Sequence, residues 1–459
     1  MQGRTFYYLI VYTFILLLIS IMSGCKKDPA DHPVGSNAYV NTWILDSLRR
    51  YYFWNESLPK KPDLNQHPTV FFKSLLNAAD RFSYMVDPQD PASYPPSNRN
   101  KFGFDYATVR TDDSNLIFGI IKYVYNDSPA SRSGLKRGDY ISRINGERLT
   151  ISNAGRLQNE LSTSGEGRLT IATWEGDALK NLRTVDLIAG VILEQSVKQH
   201  IFQLDTKKIG YLYLNDFSPG LAQSVIPNFN LFKNETIDAL IIDIRYNPGG
   251  QVAEAAGVAA LISGLAYNTP FITYTGNKNG GRKTESIGHS ASSDHSMQYG
   301  QLLEASLGLK QLYLLVTGTT ASAAELLINN LRPYVNVITI GETTRGKDQA
   351  SFVIKDMRQT KTISWELHPI IYKLSNARGE GDYSTGIVPQ HHVNELEYLP
   401  LKELGAADDP LVQRVFTLIQ DGISTRMRKD DPKIAIDDIH VLTDSRQMQT
   451  AYDLLQTRN

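Results

Sequence analysis

The chain has 459 residues, too many for one compact core, so two or three domains are the expected division. Its 47 basic residues nearly cancel its 48 acidic ones, for a net charge of -1, and no basic block extends beyond short pairs, which argues against nucleic acid or an anionic membrane surface as a partner held by bulk charge. With one cysteine in the chain, an intramolecular disulfide framework is excluded.

Arg4 precedes an apolar run from Phe6 to Ile21, and Met22-Ser23-Gly24-Cys25 follows. A charged start, a hydrophobic stretch and small residues before a cleavage point predict an export signal. The alternative is a single membrane-spanning anchor, for which the run lies near the short end of the roughly 17–25 residues required. Residues 22–25 resemble a bacterial lipobox, with Met22 where Leu is usual. The resemblance implies that Cys25 is lipid-modified, begins the mature protein and anchors it to the membrane. The mature chain would then have no free thiol, and cysteine nucleophiles and thiolate metal sites are excluded. Lys26-Lys27 places no aspartate after Cys25, a pattern that resembles lipoproteins of an outer membrane.

Residues 26–36 are polar with Pro29, Pro33 and Gly35, the composition of a tether. Between Asn37 and Tyr84 apolar residues recur at helical spacing, predicting a small helical N-terminal domain over residues 37–95. The proline- and serine-rich stretch Pro88 to Asn100 marks its boundary. Phe102-Gly103-Phe104, a strand from Leu116 to Tyr125, Ser128-Pro129-Ala130, Gly134-Leu135, Gly138-Asp139 and Asn145-Gly146 then occur in the order seen in PDZ domains, and residues 96–190 resemble one. Such a domain adds an extended peptide to a sheet edge and holds its terminal carboxylate in a glycine loop. Phe102, Gly103 and Phe104 are the candidate loop, with Arg99 and Lys101 nearby; alternatively Gly103 serves only a turn.

From 191 to 405 short apolar runs alternate with helical patterns. Strands are predicted at Ile209–Leu214, Ala239–Ile244, Leu312–Thr317 and Val335–Ile340, and helices at Val252–Leu265 and Ala323–Leu331, giving an α/β core. Residues 406–459 are predicted to form a polar helical tail.

Two small-residue motifs carry the chemistry. Ser322-Ala-Ala-Glu325 reads as a capping box, yet the same position suits a nucleophile, because the N–H of Ala323 points at the reacting centre. Asp243-Ile-Arg245-Tyr-Asn247-Pro248-Gly249-Gly250 follows a buried strand; it is either an ordinary turn beside a structural Asp–Arg pair or a place where Gly249 and Gly250 bring backbone N–H groups to a substrate carbonyl. Gly341-x4-Gly346-Lys347 matches most of a phosphate-binding loop, but Asp348 stands where Ser or Thr would hold magnesium, and a strand rather than a helix is predicted next. As a general base Lys347 must be neutral, whereas a free lysine titrates near ~10.4, and lowering it to neutrality by burial costs roughly 4 kcal/mol. No His-Glu-x-x-His motif is present.

Taken together, these segments resemble the C-terminal processing peptidases, tail-specific Ser-Lys serine peptidases related to the tricorn core, over about Asn37 to Ile419. Gly386-Ile387-Val388-Pro389 continues the similarity. The resemblance implies an α/β catalytic core of ClpP/crotonase type with an inserted PDZ domain. It implies Ser322 as nucleophile, Lys347 as general base, and Ala323 with Gly249 or Gly250 as the oxyanion hole, with no metal or cofactor. Substrates would be proteins with exposed C-terminal or unstructured tails. Two departures stand out: Thr319 replaces a usual glycine, and the glutamine that normally follows the lysine by four positions is displaced to Gln349. Gln349 or Ser351, with Glu325, are the candidate supports of the lysine. A histidine base would have to come from His200, His289, His295, His368, His391 or His392. The competing reading is a catalytically silent envelope protein that binds tails through its PDZ domain.

Overall fold

The computed structural model describes residues 32–90, 93–94, 98–112, 116–175, 178–192, 197–293, 297–421 and 439–446. The export signal, the lipobox with Cys25 and His295 lie outside the described residues. The chain divides into two compact units, residues 1–46 with 59–75, and residues 47–58 with 76–459. The smaller holds most of helix α1 (Asn37–Tyr51) and all of α2 (Pro68–Leu75). The Asn41 amide donates to the Leu64 and Gln66 carbonyls at 2.8 and 2.7 Å, tying the connecting loop to α1.

In the larger unit, β1 (Tyr84–Val86) pairs antiparallel with residues 366–368. Helix α3 (Asn98–Phe102) leads into β2 (Phe104–Thr111) and β3 (Ile117–Val124), followed by β4 (Tyr140–Ile144), β5 (Glu147–Arg148), helix α4 (Ala154–Thr163), β6 (Glu166–Glu175) and β7 (Ala178–Ile188). These strands form one antiparallel sheet whose inner face buries Phe102, Phe104, Tyr106, Ile141 and Leu169 against Leu157 and Leu161 of α4. Asn145 and Gly146, both with positive φ, make the tight β4–β5 turn expected of Asn-Gly.

The remaining core is the α/β arrangement that the alternating pattern predicts. Its strands are β8 (Val197–Leu204), β9 (Lys207–Leu214), β10 (Ala239–Asp243), β11 (Pro270–Thr275), β12 (Arg282–Ser286), β13 (Gln311–Val316), β14 (Asn336–Gly341), β15 (Gln349–Ser351), β16 (Glu366–His368), β17 (Ile370–Ser375) and β18 (His391–His392). The main sheet has the order β18-β14-β13-β10-β9-β8, parallel from β18 to β9 with β8 antiparallel at the edge. A second sheet runs β12-β11-β17-β15. Helices α5 (Val252–Ser263) and α6 (Ala323–Leu331) are buried along their whole length, as their apolar composition demands. Because β9, β10, β13 and β14 run in one direction, the loops after them converge at the carboxyl end of the sheet, where open α/β sheets form their crevices.

The C-terminal region departs from the predicted helical tail. Helix α7 (Pro410–Asp421) buries Leu411, Val412, Val415 and Leu418 against the main sheet, but β19 (Ile439–Asp444) is a strand. It pairs with the outer edge of β2. Local polarity disguised it: a sheet edge with unpaired N–H and C=O groups imposes extended structure on a segment whose own pattern does not.

Candidate active site

Three loops meet at the carboxyl end of the sheet: residues 244–250 after β10, 317–322 after β13 and 342–347 after β14. Ser322 ends the second with φ 57 and ψ -115, a conformation that costs a non-glycine residue on the order of 1–3 kcal/mol. Ser322 and Glu325 stand in the capping-box positions of α6. Glu325 Oε2 accepts the Ser322 N–H at 2.9 Å, while the buried Ser322 Oγ has no hydrogen-bond partner among the described residues.

Glu325 connects that serine to the third loop. The same Oε2 accepts the Lys347 N–H at 2.8 Å, and Oε1 accepts the Gly346 N–H at 2.7 Å and the Thr344 hydroxyl. Burial raises the Glu325 pKa, opposed by these hydrogen bonds to its charged form. A single carboxylate thus fixes the backbones of both Ser322 and Lys347.

Lys347 is 1% exposed, and its Nζ has no hydrogen-bond partner among the described residues. It stands 5.4 Å from the centroid of the Phe82 ring. Burial holds its pKa well below the ordinary lysine value, with the charges of Asp80 and Glu325 opposing. Asp80 is in turn held by the Phe82 and Ser83 N–H groups, both at 2.9 Å, and by the Tyr52 hydroxyl at 2.7 Å. Sequence reading missed Asp80 and Phe82, which no local motif marks. Lys347 leads into β15 (Gln349–Ser351), so the Gly341–Gly346 loop does not open into the helix that a phosphate-binding loop requires.

The glycines of the first loop lie against the serine. A Cβ on Gly249 would lie 2.7 Å from Ser322 Cβ and 2.9 Å from Ala323 N, and one on Gly250 would lie 2.3 Å from the Phe217 carbonyl oxygen. With φ values of 108 and 137, both positions require glycine. The Gly249 N–H donates to Asn247 Oδ1 at 2.8 Å. The N–H groups of Gly250 and Ala323 have no intramolecular acceptor among the described residues. Of the two glycines, Gly250 keeps a free donor.

Asp243 and Arg245 are not at the reacting centre. Arg245 is fully buried, bonded to Asp243, Glu395 and Asp409 at 2.8 to 2.9 Å. Thr319, at the position of the usual glycine, donates its hydroxyl to the Arg245 carbonyl at 3.0 Å, and the Thr320 hydroxyl reaches the Ile244 carbonyl at 2.8 Å. The departure thus supplies an anchor between the serine loop and the glycine loop.

Gln349 is buried in β15 opposite Lys373, and its Oε1 has no partner among the described residues; Ser351, opposite Ile370, is also buried. Neither has a described hydrogen bond to Lys347. His368 is buried and stacked on Tyr84 with centroids 4.3 Å apart, its pKa lowered to about 4 by burial and then by Lys347. His200 lies on β8, His391 and His392 on β18, and His289 on an exposed face. Ser322 Oγ hydrogen-bonds to none of these. In the PDZ domain Phe102 and Phe104 belong to the core, and the Gly103 N–H donates to the Arg99 carbonyl at 2.9 Å.

The segments that carry these loops match known protein families. Residues 208–373 match the model of peptidase family S41, residues 39–84 that of the peptidase S41 N-terminal domain, and residues 120–175 that of a PDZ domain. A carboxyl-terminal-processing protease of Picosynechococcus sp. is 29% identical over 232 residues, 50% of this chain and 51% of the relative, so the match spans about half that relative's length. One of Synechocystis sp. is 25% identical over 400 residues, 84% of this chain and 85% of the relative. A crystal structure of a protein from Bacteroides fragilis described as an S41 protease shares the fold, with a TM-score of 0.66 at 24% identity, over 86% of this chain and 99% of that one. The chain thus carries a peptidase S41 domain, an S41 N-terminal domain and a PDZ domain.

Proposed function

We propose that the protein is a serine endopeptidase of the cell envelope that captures protein tails through its PDZ domain and hydrolyses peptide bonds by a Ser-Lys acyl-enzyme mechanism. The observation that carries this reading is the pair of buried, unpartnered groups, Ser322 Oγ and Lys347 Nζ, whose backbones share Glu325 Oε2. A fully buried lysine without a counter-ion at bonding distance is costly, and burial of this kind is how a lysine becomes a base at neutral pH.

In the proposed reaction, Ser322 Oγ adds to the substrate carbonyl carbon as neutral Lys347 takes its proton. Oγ and Nζ are not hydrogen-bonded in the free protein, and substrate closes that gap, as catalytic contacts commonly tighten on binding. The oxyanion is held by the Ala323 and Gly250 N–H groups, each worth about 3–4 kcal/mol of transition-state stabilisation. Collapse breaks the C–N bond, and the leaving amine takes the proton from the Lys347 ammonium. Water, deprotonated by the again neutral Lys347, then hydrolyses the ester and frees Ser322. The Phe82 ring and the Asp80 carboxylate, rather than a glutamine, set the position and charge of the base. No metal or cofactor enters these steps. The export signal and lipobox-like residues support anchoring at Cys25, at an outer membrane.

Mass spectrometry of an unstructured protein incubated with the purified enzyme tests the reading. Cleavage by the native chain, lost in Ser322→Ala and in Lys347→Ala, is the expected result. Turnover surviving Lys347→Ala would implicate another base, and binding without cleavage by the native chain would favour a silent tail-binding protein.

A further inference from the structure

The strand β2, which follows the Phe102-Gly103-Phe104 loop, does not have a free outer edge. Residues of β19 fill it in antiparallel register, Ile439 opposite Thr111, His440 opposite Arg110, Val441 opposite Val109, Thr443 opposite Thr108 and Asp444 opposite Ala107. Helix α4 runs beside the added strand. The ladder continues one residue further, with the Ser445 N–H donating to the Tyr106 carbonyl at 3.0 Å and the Tyr106 N–H to Ser445 Oγ at 2.9 Å. This is the geometry by which a PDZ domain takes a peptide, an antiparallel strand added to a sheet edge. The occupant is an internal segment of the chain itself.

What holds it is charge rather than apolar burial. The Asp444 carboxylate meets Lys122 Nζ of β3 at 2.5 Å, with both groups almost fully buried. Arg446 is 1% exposed, its N–H donates to Asp444 Oδ1 at 2.9 Å, and its guanidinium Nε–H donates to the Tyr246 carbonyl at 3.2 Å. Within the strand Ile439 packs into a hydrophobic cluster, while Val441 is half exposed. A strand held by one ladder, limited apolar burial, the Lys122–Asp444 pair and an exposed His440–Asp112 contact suits exchange better than permanence. The contact with Tyr246 also reaches the peptidase centre: the next residue, Asn247, accepts the Gly249 N–H through its side chain and the Ala321 N–H through its carbonyl.

We propose that residues Ile439–Arg446 are a resident ligand of the PDZ groove, and that the groove selects extended segments carrying an acidic side chain opposite Ala107 and an arginine two residues later. A substrate segment must displace the resident strand, and the glycine loop senses the exchange through Tyr246. The proposal rests on the reading that this PDZ domain captures polypeptide, and it concerns binding, so it is tested without catalysis.

The probe is a fluorescein-labelled peptide of sequence Ile-His-Val-Leu-Thr-Asp-Ser-Arg, followed by anisotropy against the full chain carrying Ser322→Ala. Removing one partner of a buried ion pair is strongly unfavourable. Asp444→Lys, which sets the resident strand against Lys122, should therefore bind the probe at least about tenfold more tightly than the parent. Adding Lys122→Asp to Asp444→Lys restores an inverted pair and should return binding to the weak parental level. Equal binding to parent and Asp444→Lys would overturn the claim of a resident ligand while leaving peptide capture intact. No binding to a folded Asp444→Lys chain, checked by circular dichroism, would overturn the reading of the groove itself. If Asp444→Lys fails to fold, hydrogen exchange of the parent decides: excess probe should speed exchange at amides 439–446, and unchanged protection would show a fixed structural strand.

Discussion

Arg245 and Lys347 are both basic side chains shut away from water at the carboxyl end of one sheet, and their surroundings could hardly differ more. Arg245 is bonded to three carboxylates, those of Asp243, Glu395 and Asp409. Lys347 faces an aromatic ring and has its nearest charges, Asp80 and Glu325, engaged by other donors. The first arrangement raises the arginine's already high pKa further and fixes its charge; the second lowers the lysine's. One side chain is held in its charged form and the other is pushed toward its neutral form, and what separates them is not burial but whether the partners of the charged form are supplied.

The comparison breaks most visibly in activity. Lys347→Ala and Ser322→Ala should each lower kcat/KM on the order of 10⁴-fold or more in a peptide-cleavage assay, since members of a nucleophile–base pair act as a unit. Arg245→Met should instead register in stability. It leaves the buried Asp243 and Asp409 carboxylates without their cation and Glu395 with Arg137 alone, and about 3–5 kcal/mol should be lost in denaturant unfolding. The same cluster sets the acid limit. Burial raises the Glu395 pKa, but Arg137 and Arg245 outweigh it and bring it to about 2. A carboxylate whose folded pKa is depressed contributes fully above its unfolded value near ~4.3 and loses that contribution as pH falls toward about 2, here on the order of 3 kcal/mol. Unfolding measured from pH 6 down to 2 should show that loss, and Arg245→Met should blunt it.

Lys347→Met should move stability the other way. The folded state penalises the ammonium, so an apolar side chain of similar length should raise unfolding free energy by about 2 kcal/mol at neutral pH while abolishing turnover. The penalty eases as pH rises toward the unfolded lysine pKa, so this gain should shrink in alkaline buffer. Asp80→Asn is the gentlest change. It keeps the Oδ1 acceptor for Phe82 and Ser83 but removes a charge that raises the Lys347 pKa. The acid limb of kcat/KM should then shift to lower pH by a small amount, visible as a rate gain of a few-fold on that limb.

Much of the fold could be read along the chain, for reasons that particular elements make plain. The runs Ala239–Asp243 and Gln311–Val316 are apolar except at their ends, Asp243 and Gln311, because parallel strands are covered on both faces, and α6 begins at Ala323 where Ser322-x-x-Glu325 signals a helix start. The candidate serine and lysine could be singled out for the same reason, each lying in a loop bounded by strong local signals. What could not be read depends on contacts between distant segments. Asp80 and Phe82 reach Lys347 only through the folded chain, and nothing between Asn77 and Tyr84 suggests it. β19 exists because β2 offers it an edge, a condition no window of sequence contains. An intermediate case is Asn247: an asparagine two residues before Gly249 is the signal of a side chain that accepts a nearby backbone N–H, and it could have singled out Gly250 as the donor left free.

The most direct test of the account is the titration of Lys347 itself. In protein labelled at the lysine Cε positions, NMR spectra recorded from pH 5 to 11 should show one resonance, absent in Lys347→Met, titrating well below the ~10.4 of ordinary lysines. If every lysine resonance, including the one lost in Lys347→Met, titrates in the ordinary range, Lys347 is a charged structural residue and cannot serve as the base.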